Sequence, residues 1–119
     1  MPTSESFRTF VMDQLTRIVP RVRGRPMFGG LGIYSGDLFF ALIANDTLYF
    51  KVDGSNRSDF EKLGMKAFQP YGPGSEAMKY YAVPIDLLDD PDALRPWAEK
   101  SITVAGKAKQ KSAKQKKRR

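Results

Sequence analysis

Residues 25–34, RPMFGGLGIY, set three glycines among four positions just after a run of arginines. That combination suits a backbone cradle for phosphate, in which free N–H groups converge on an anion at a helix N-terminus. Such a cradle needs a helix to follow, whereas Leu31, Ile33 and Tyr34 lead into Gly36-Asp37 and a second apolar run. The spacing Gly29-Gly30-x-Gly32 also fits neither the dinucleotide nor the P-loop pattern. The glycines read as packing positions. The 119 residues include no histidine and no cysteine, so the usual neutral-pH proton shuttle, the thiolate nucleophile and the commonest transition-metal ligands are missing. Asp86, Asp89, Asp90 and Asp92 form an acidic cluster, but Asp90 before Pro91 is a helix N-cap and acids in a first turn complement the helix dipole. No metal site, cofactor or catalytic residue is assigned, and a non-enzymatic module is expected. The alternative is a small enzyme acting on nucleic acid or on a nucleotide-like cofactor, with Asp, Glu, Lys and Tyr carrying all proton transfer.

The net charge of +7 is unevenly distributed. Lys107, Lys109, Lys111, Lys114, Lys116, Lys117, Arg118 and Arg119 are eight basic residues with no acid among them, which leaves 12 basic against 13 acidic residues in positions 1–106. KAKQKSAKQKKRR has no residue to anchor a core, so residues 107–119 are expected to be a disordered basic tail after a single domain of residues 1–106. Such a tail would either keep the protein in solution or bind nucleic acid non-specifically through phosphate. Arg17, Arg21, Arg23 and Arg25 are a second, internal basic cluster. Without a signal-like start or a long apolar run, a cytoplasmic protein with no membrane contact is expected.

The elements that would position these residues follow from periodicity. Phe7, Phe10, Val11, Leu15 and Ile18 share one helix face, started by Thr3 or Ser4 and closed by Pro20. Gly36-Asp37 and Asn45-Asp46 divide FGGLGIYS, LFFALIA and TLYFKV into a three-stranded meander. SNRSDFEKLG predicts a short helix capped by Ser55 or Asn56 and ended by Gly64; AFQPY and AMKYYAV predict a hairpin around GPGSE. Pro84 opens a single turn, and Asp90-Pro91 starts a last helix presenting Leu94, Trp97, Ala98, Ile102 and Ala105. The order α-β-β-β-α-β-β-α predicts a two-layer α+β fold with a five-stranded antiparallel sheet.

Two-residue turns would set Tyr34 opposite Phe39, Gly32 opposite Ala41 and Gly30 opposite Ile43, with Ala41 opposite Phe50 and Ile43 opposite Leu48. Alternation then places Gly30 and Gly32 on the helix-covered face and leaves Leu31, Ile33, Phe40, Leu42 and Tyr49 on the other. So much apolar surface predicts a covering partner, a homodimer first and another protein such as a transcription-complex component second. Tyr49, Lys51, Lys79 and Tyr81 offer an RNA-stacking platform as a lesser reading.

RPMFGGLGIY, FALIANDTLYFKVD, NRSDFEKLGMKAF, MKYYAVP and DDPDALRPWAEKS, in this order from about Phe7 to Ala105, resemble the TfoX N-terminal domain of bacterial competence regulators and their stand-alone relatives. The resemblance implies a fold similar to the type III secretion chaperones and a cytoplasmic location. It also implies a link to competence gene transcription, which the full-length regulators co-activate through this domain joined to a C-terminal helical one. Only the basic segment follows Ala105 here, and no catalytic residue comes with the resemblance.

Overall fold

The computed structural model describes residues 4–27, 29–69 and 79–117, with side chains as far as residue 110. Its elements run α1 (Glu5–Thr16), β1 (Val22–Met27), β2 (Gly30–Ser35), β3 (Leu38–Ala44), β4 (Thr47–Lys51), α2 (Arg57–Glu61), β5 (Tyr80–Ala82), α3 (Ile85–Leu88) and α4 (Pro91–Lys117). The five strands form one antiparallel sheet in sequence order. The fold is α+β.

Local chemistry explains most of these boundaries. The Ser4 hydroxyl accepts from the Phe7 N–H, 3.3 Å, and starts α1. Asn45 and Asp46 both have positive φ, 51° and 55°, as a tight hairpin turn of the right twist requires. Asp90 receives the Ala93 N–H on its side chain at 3.3 Å and Pro91 follows at the first helical position. Asn56 precedes α2 without capping it. Buried instead, its amide donates to the Lys51 carbonyl at 3.2 Å and accepts from the Asp53 N–H at 2.9 Å, closing the turn that leaves β4.

α1 packs against β1 and α4 lies across β3 and β4. All four helices contribute buried residues, among them Leu15, Phe60, Leu88 and Leu94, to a single core on one side of the sheet. From the sheet this core takes Leu31, Ile33, Phe40, Ala41, Ile43, Leu48 and Phe50. Complete burial of large aromatic and aliphatic side chains contributes on the order of 1.5–3 kcal/mol each, which is what a domain of this size depends on.

The sheet differs from the sequence expectation in three places. VRGRPM pairs with β2 as an added edge strand, where exposed arginines, Gly24 and Pro26 are tolerated because one backbone edge stays unpaired. Of AFQPY, Ala67 forms a bridge to Tyr81 and the Phe68 N–H donates to the Tyr80 carbonyl at 2.8 Å; Pro70, Tyr71 and the GPGSE loop lie outside the described residues. Most consequentially, β2 and β3 do not keep one register. Tyr34 pairs with Phe39 as counted, but Ile33 pairs with Ala41, Gly32 with Leu42 and Leu31 with Ile43. Phe40 is an extra residue, a bulge that turns both Phe40 and Ala41 into the core. Every β2 residue from Ile33 back therefore moves to the opposite face from the one expected.

The last helix also departs from expectation. It crosses Gly106 without a break and its backbone is helical to Lys117, where composition predicted disorder from residue 107. Lysine, glutamine and alanine are good helix formers, and a turn nucleated by the packed residues 94–105 extends into them at little cost.

Candidate functional site

Two basic sets that the sequence treats separately meet at the β2–β3 turn. Where α4 passes this turn, a Cβ on Gly106 would stand 3.9 Å from Cδ1 of Leu38. Lys107 and Lys109 follow, both exposed. The Lys109 ammonium donates to the Asp37 carboxylate, and that bond with its charge holds the Asp37 carboxyl below its usual range. Arg21 adds to the effect from the other side. Its backbone is left-handed, φ 50°, and is fixed there by the Gly36 N–H donating to the Arg21 carbonyl, 2.9 Å, and the Ser35 hydroxyl donating to the Pro20 carbonyl, 2.8 Å. The Arg23 Nε donates to the Gly36 carbonyl, 2.9 Å. Arg21, Arg23 and Lys109 thus gather around Gly36-Asp37. Gly36, φ 61°, is needed twice, for its conformation and because a Cβ would press on the Arg21 guanidinium at 3.0 Å.

Of the other predicted basic residues, Arg17 caps α1 and Arg25 lies further along β1, both exposed. Lys111, Lys114, Lys116 and Lys117 fall on the backbone of α4, with side chains outside the described set, and Arg118 and Arg119 lie outside it altogether.

The proposed apolar interface is broken up by the bulge. Leu31, Ile33 and Phe40 belong to the core, at 5%, 0% and 0% exposure, so only Leu42 and Tyr49 lie on the helix-free face. In their place that face carries an aromatic ladder which the sequence reading did not assemble. The Tyr34 and Phe39 rings stack at 5.0 Å and 23°, and Phe39 meets Tyr80 at 5.7 Å. Cations close both ends, Arg23 over Tyr34 at 4.8 Å and Lys51 over Tyr80 at 5.2 Å. Beside the ladder, Tyr49 packs against Phe68 at 4.9 Å. Burial, with Tyr34 as neighbour, pushes the Tyr80 phenol up to about 12. Burial and the nearby Lys79 lower the Lys51 ammonium. Of the four residues offered as a stacking platform, Lys51 is on this face, Tyr81 turns to the core side against Phe60, and Lys79 stands exposed just before β5. The one legible signal for the ladder was the Tyr34–Phe39 pairing.

Between α2 and α4, Asp59, Lys62, Leu63, Pro96, Trp97 and Lys100 line a shallow cleft of about 330 Å³. Lys100 pairs with Asp59 across it at 2.9 Å, and Trp97 meets Phe60 edge-on at 4.9 Å. Among the described residues no three His, Cys, Asp or Glu side chains gather where they could hold a metal, and no helix is long and apolar enough to cross a membrane.

Comparison with known proteins adds a family match and a relative. The TfoX N-terminal domain family model matches residues 13–105. A stretch of 49 residues is 37% identical to the DNA transformation protein TfoX1 of Aliivibrio fischeri, covering 41% of this chain and 23% of that protein. The chain thus spans about a quarter of the curated relative it matches.

Proposed function

Because the chain belongs to the TfoX N-terminal domain family, a competence-related regulatory family, we propose that it is a cytoplasmic regulatory or adaptor module without enzymatic activity, held at nucleic acid by the basic end of α4 together with Arg21 and Arg23. The observation that carries this reading is the junction at Asp37. There Lys109 from α4 and Arg21 meet on one turn, so the basic stretch that opens with Lys107 and Lys109 adjoins a basic patch on the folded body. The name of the TfoX1 relative, a DNA transformation protein, agrees with work at DNA. Phosphate contact of this kind positions a protein without reading sequence, so selectivity in regulation falls to a protein partner in the transcription complex.

Duplex DNA titrated at several salt concentrations tests the proposal. Each phosphate neutralised contributes about −0.9 to the slope of log affinity against log salt, so four to eight contacts give roughly −3.6 to −7. Replacing Lys107, Lys109, Lys111 and Lys114 by glutamine should flatten that slope by up to about 3.6. Replacing Arg21 and Arg23 as well should flatten it further. Binding that survives both sets with its slope intact would refute the assignment.

A further inference from the structure

The helix-free face of the sheet differs from the α4 junction in chemistry as well as place. The five strands contain no Asp or Glu, while Arg23, Arg25 and Lys51, their three basic residues, all point to this face. None of the three has an ion-pair partner among the described residues. Lys66 and Lys79 stand exposed at its β5 margin. Strands that carry unpaired cations and no acid are complementary to a polyanion. Charge alone would not choose among polyanions, but the rings do.

Tyr34 and Phe39 form a near-parallel stack, and the flat guanidinium of Arg23 lies over the Tyr34 ring at 4.8 Å. Arg23 is exposed and, among the described residues, hydrogen-bonds to the Gly36 carbonyl. It therefore occupies, loosely, a position in which a planar group continues the stack. At the other end the half-buried Lys51 lies over the buried Tyr80 ring, its ammonium 3.5 Å from the phenol oxygen. An aromatic stack with a displaceable planar cation at its end and more cations along its margins matches the requirements of an unpaired nucleic acid strand: bases extend the rings, and released cations meet phosphates. Duplex DNA, with its bases already stacked on each other, cannot use the rings.

We infer that the helix-free face, through Tyr34, Phe39, Arg23 and Lys51, binds single-stranded nucleic acid, a site whose rings are distinct from the duplex-binding end of α4 and which shares only Arg23 with that junction. Its binding is weakly sequence-selective, because every base has a ring face to stack. Lys51 and Lys79, which repel each other in the free protein, gain a shared phosphate.

The probes are a labelled oligothymidylate of about a dozen nucleotides, within the span such grooves cover, and a duplex of equal length, each read by fluorescence anisotropy with the full chain. Single-strand affinity is expected to fall from about fivefold to a hundredfold in a Tyr34→Leu, Phe39→Leu double variant, as the loss of one stacked base implies. Duplex affinity should not change. Glutamine at Lys107, Lys109, Lys111 and Lys114 should do the reverse. Arg23→Gln and Lys51→Gln should each flatten the single-strand salt slope by about 0.7. Photocrosslinking of an iodouracil oligonucleotide to the unaltered protein, mapped by peptide mass, needs no folded variant and should label residues 30–39 or 79–82. Crosslinks confined to α4, or single-strand binding that the leucine pair leaves untouched, would overturn the inference. If the glutamine variant keeps its duplex affinity while crosslinks still map to the sheet, the proposal for α4 fails alone.

Discussion

A pair of glycine substitutions tests the bulged register on which the helix-free face depends. Gly30 and Gly32 are neighbours in β2 on the same face, yet they are enclosed by different matter. A Cβ on Gly30 would overlap the backbone carbonyl oxygen of Ile43, which the β2–β3 ladder holds in place. A Cβ on Gly32 would run into the end of the Met27 side chain, whose Sδ would be 2.9 Å away, with the Phe39 ring next at 3.3 Å. Backbone cannot move aside; a methionine terminus can. Replacing glycine by alanine reduces the freedom of the unfolded chain, which stabilises by about 0.4–1 kcal/mol, while overpacking costs typically 1–3 kcal/mol. Gly32→Ala should therefore lose roughly 0.5–2 kcal/mol net. In a Met27→Ala background the overlap is gone and Gly32→Ala should be neutral or slightly stabilising, a coupling on the order of 1–2 kcal/mol. Gly30→Ala should cost 3 kcal/mol or more by the same scale of large effects, with no relief from Met27→Ala. Urea denaturation of the four members of each cycle gives these values, provided the slopes agree. If Gly32→Ala is as costly without Met27 as with it, the two are not in contact. Gly32 would then face the helices opposite Ala41, and the ladder would not exist.

Two further outcomes follow from the electrostatics. Tyr80, raised to about 12 from an ordinary 10, stays protonated in the fold while the unfolded phenol ionises, so stability falls as pH rises from about 10 to about 12; discounting for solvent at the phenol, the loss is on the order of 1–2 kcal/mol, and denaturation at pH 9 and 11 should show a smaller difference for Tyr80→Phe, an unchanged one refuting the burial argument. Asp37 is the acid that pairs with Lys109 at the α4 junction, and Asp37→Asn should raise duplex affinity severalfold at most at low salt, the gain fading as salt screens charges beyond about 10 Å; weaker binding would mean that Asp37 organises Lys109 for DNA instead of competing for it.

The parts of the fold that were legible are those decided within a few residues. Ser4, Asn45-Asp46, Gly64 and Asp90-Pro91 each satisfy or terminate local backbone groups, so their consequences can be read without knowing what packs above them. The basic segment was harder, because Lys, Gln and Ala favour helix and disorder alike, and the choice rests on the packed turns before it. Its charge was plain in the sequence; its meeting with Arg21 and Arg23 was not, since that depends on α4 crossing the β2–β3 turn near Leu38. The edge strand β1 escaped for a similar reason, arginine, glycine and proline being poor strand signals that an unpaired edge allows.

The bulge is where local counting fails and the core decides. In an unbroken register Phe39 and Ala41 share a face, and Phe40 joins Leu42 on the outside. The space between β3 and the helices instead accepts the whole Phe40 ring, which meets Phe50 at 5.8 Å and is fully buried, while Ala41 beside it lets α4 approach. Taking both inward requires one unpaired residue, and that residue reverses Phe39 relative to Ala41. Phe39 is thereby turned out, onto the face where Tyr34 already points and between Tyr34 and Tyr80. The same slip withdraws Leu31, Ile33 and Phe40 from that face and leaves cations and rings where aliphatic side chains were expected. A packing demand on the inner side of the sheet thus sets the chemistry of the outer side, replacing the apolar surface that argued for self-association by one that suits a polyanion with unpaired bases.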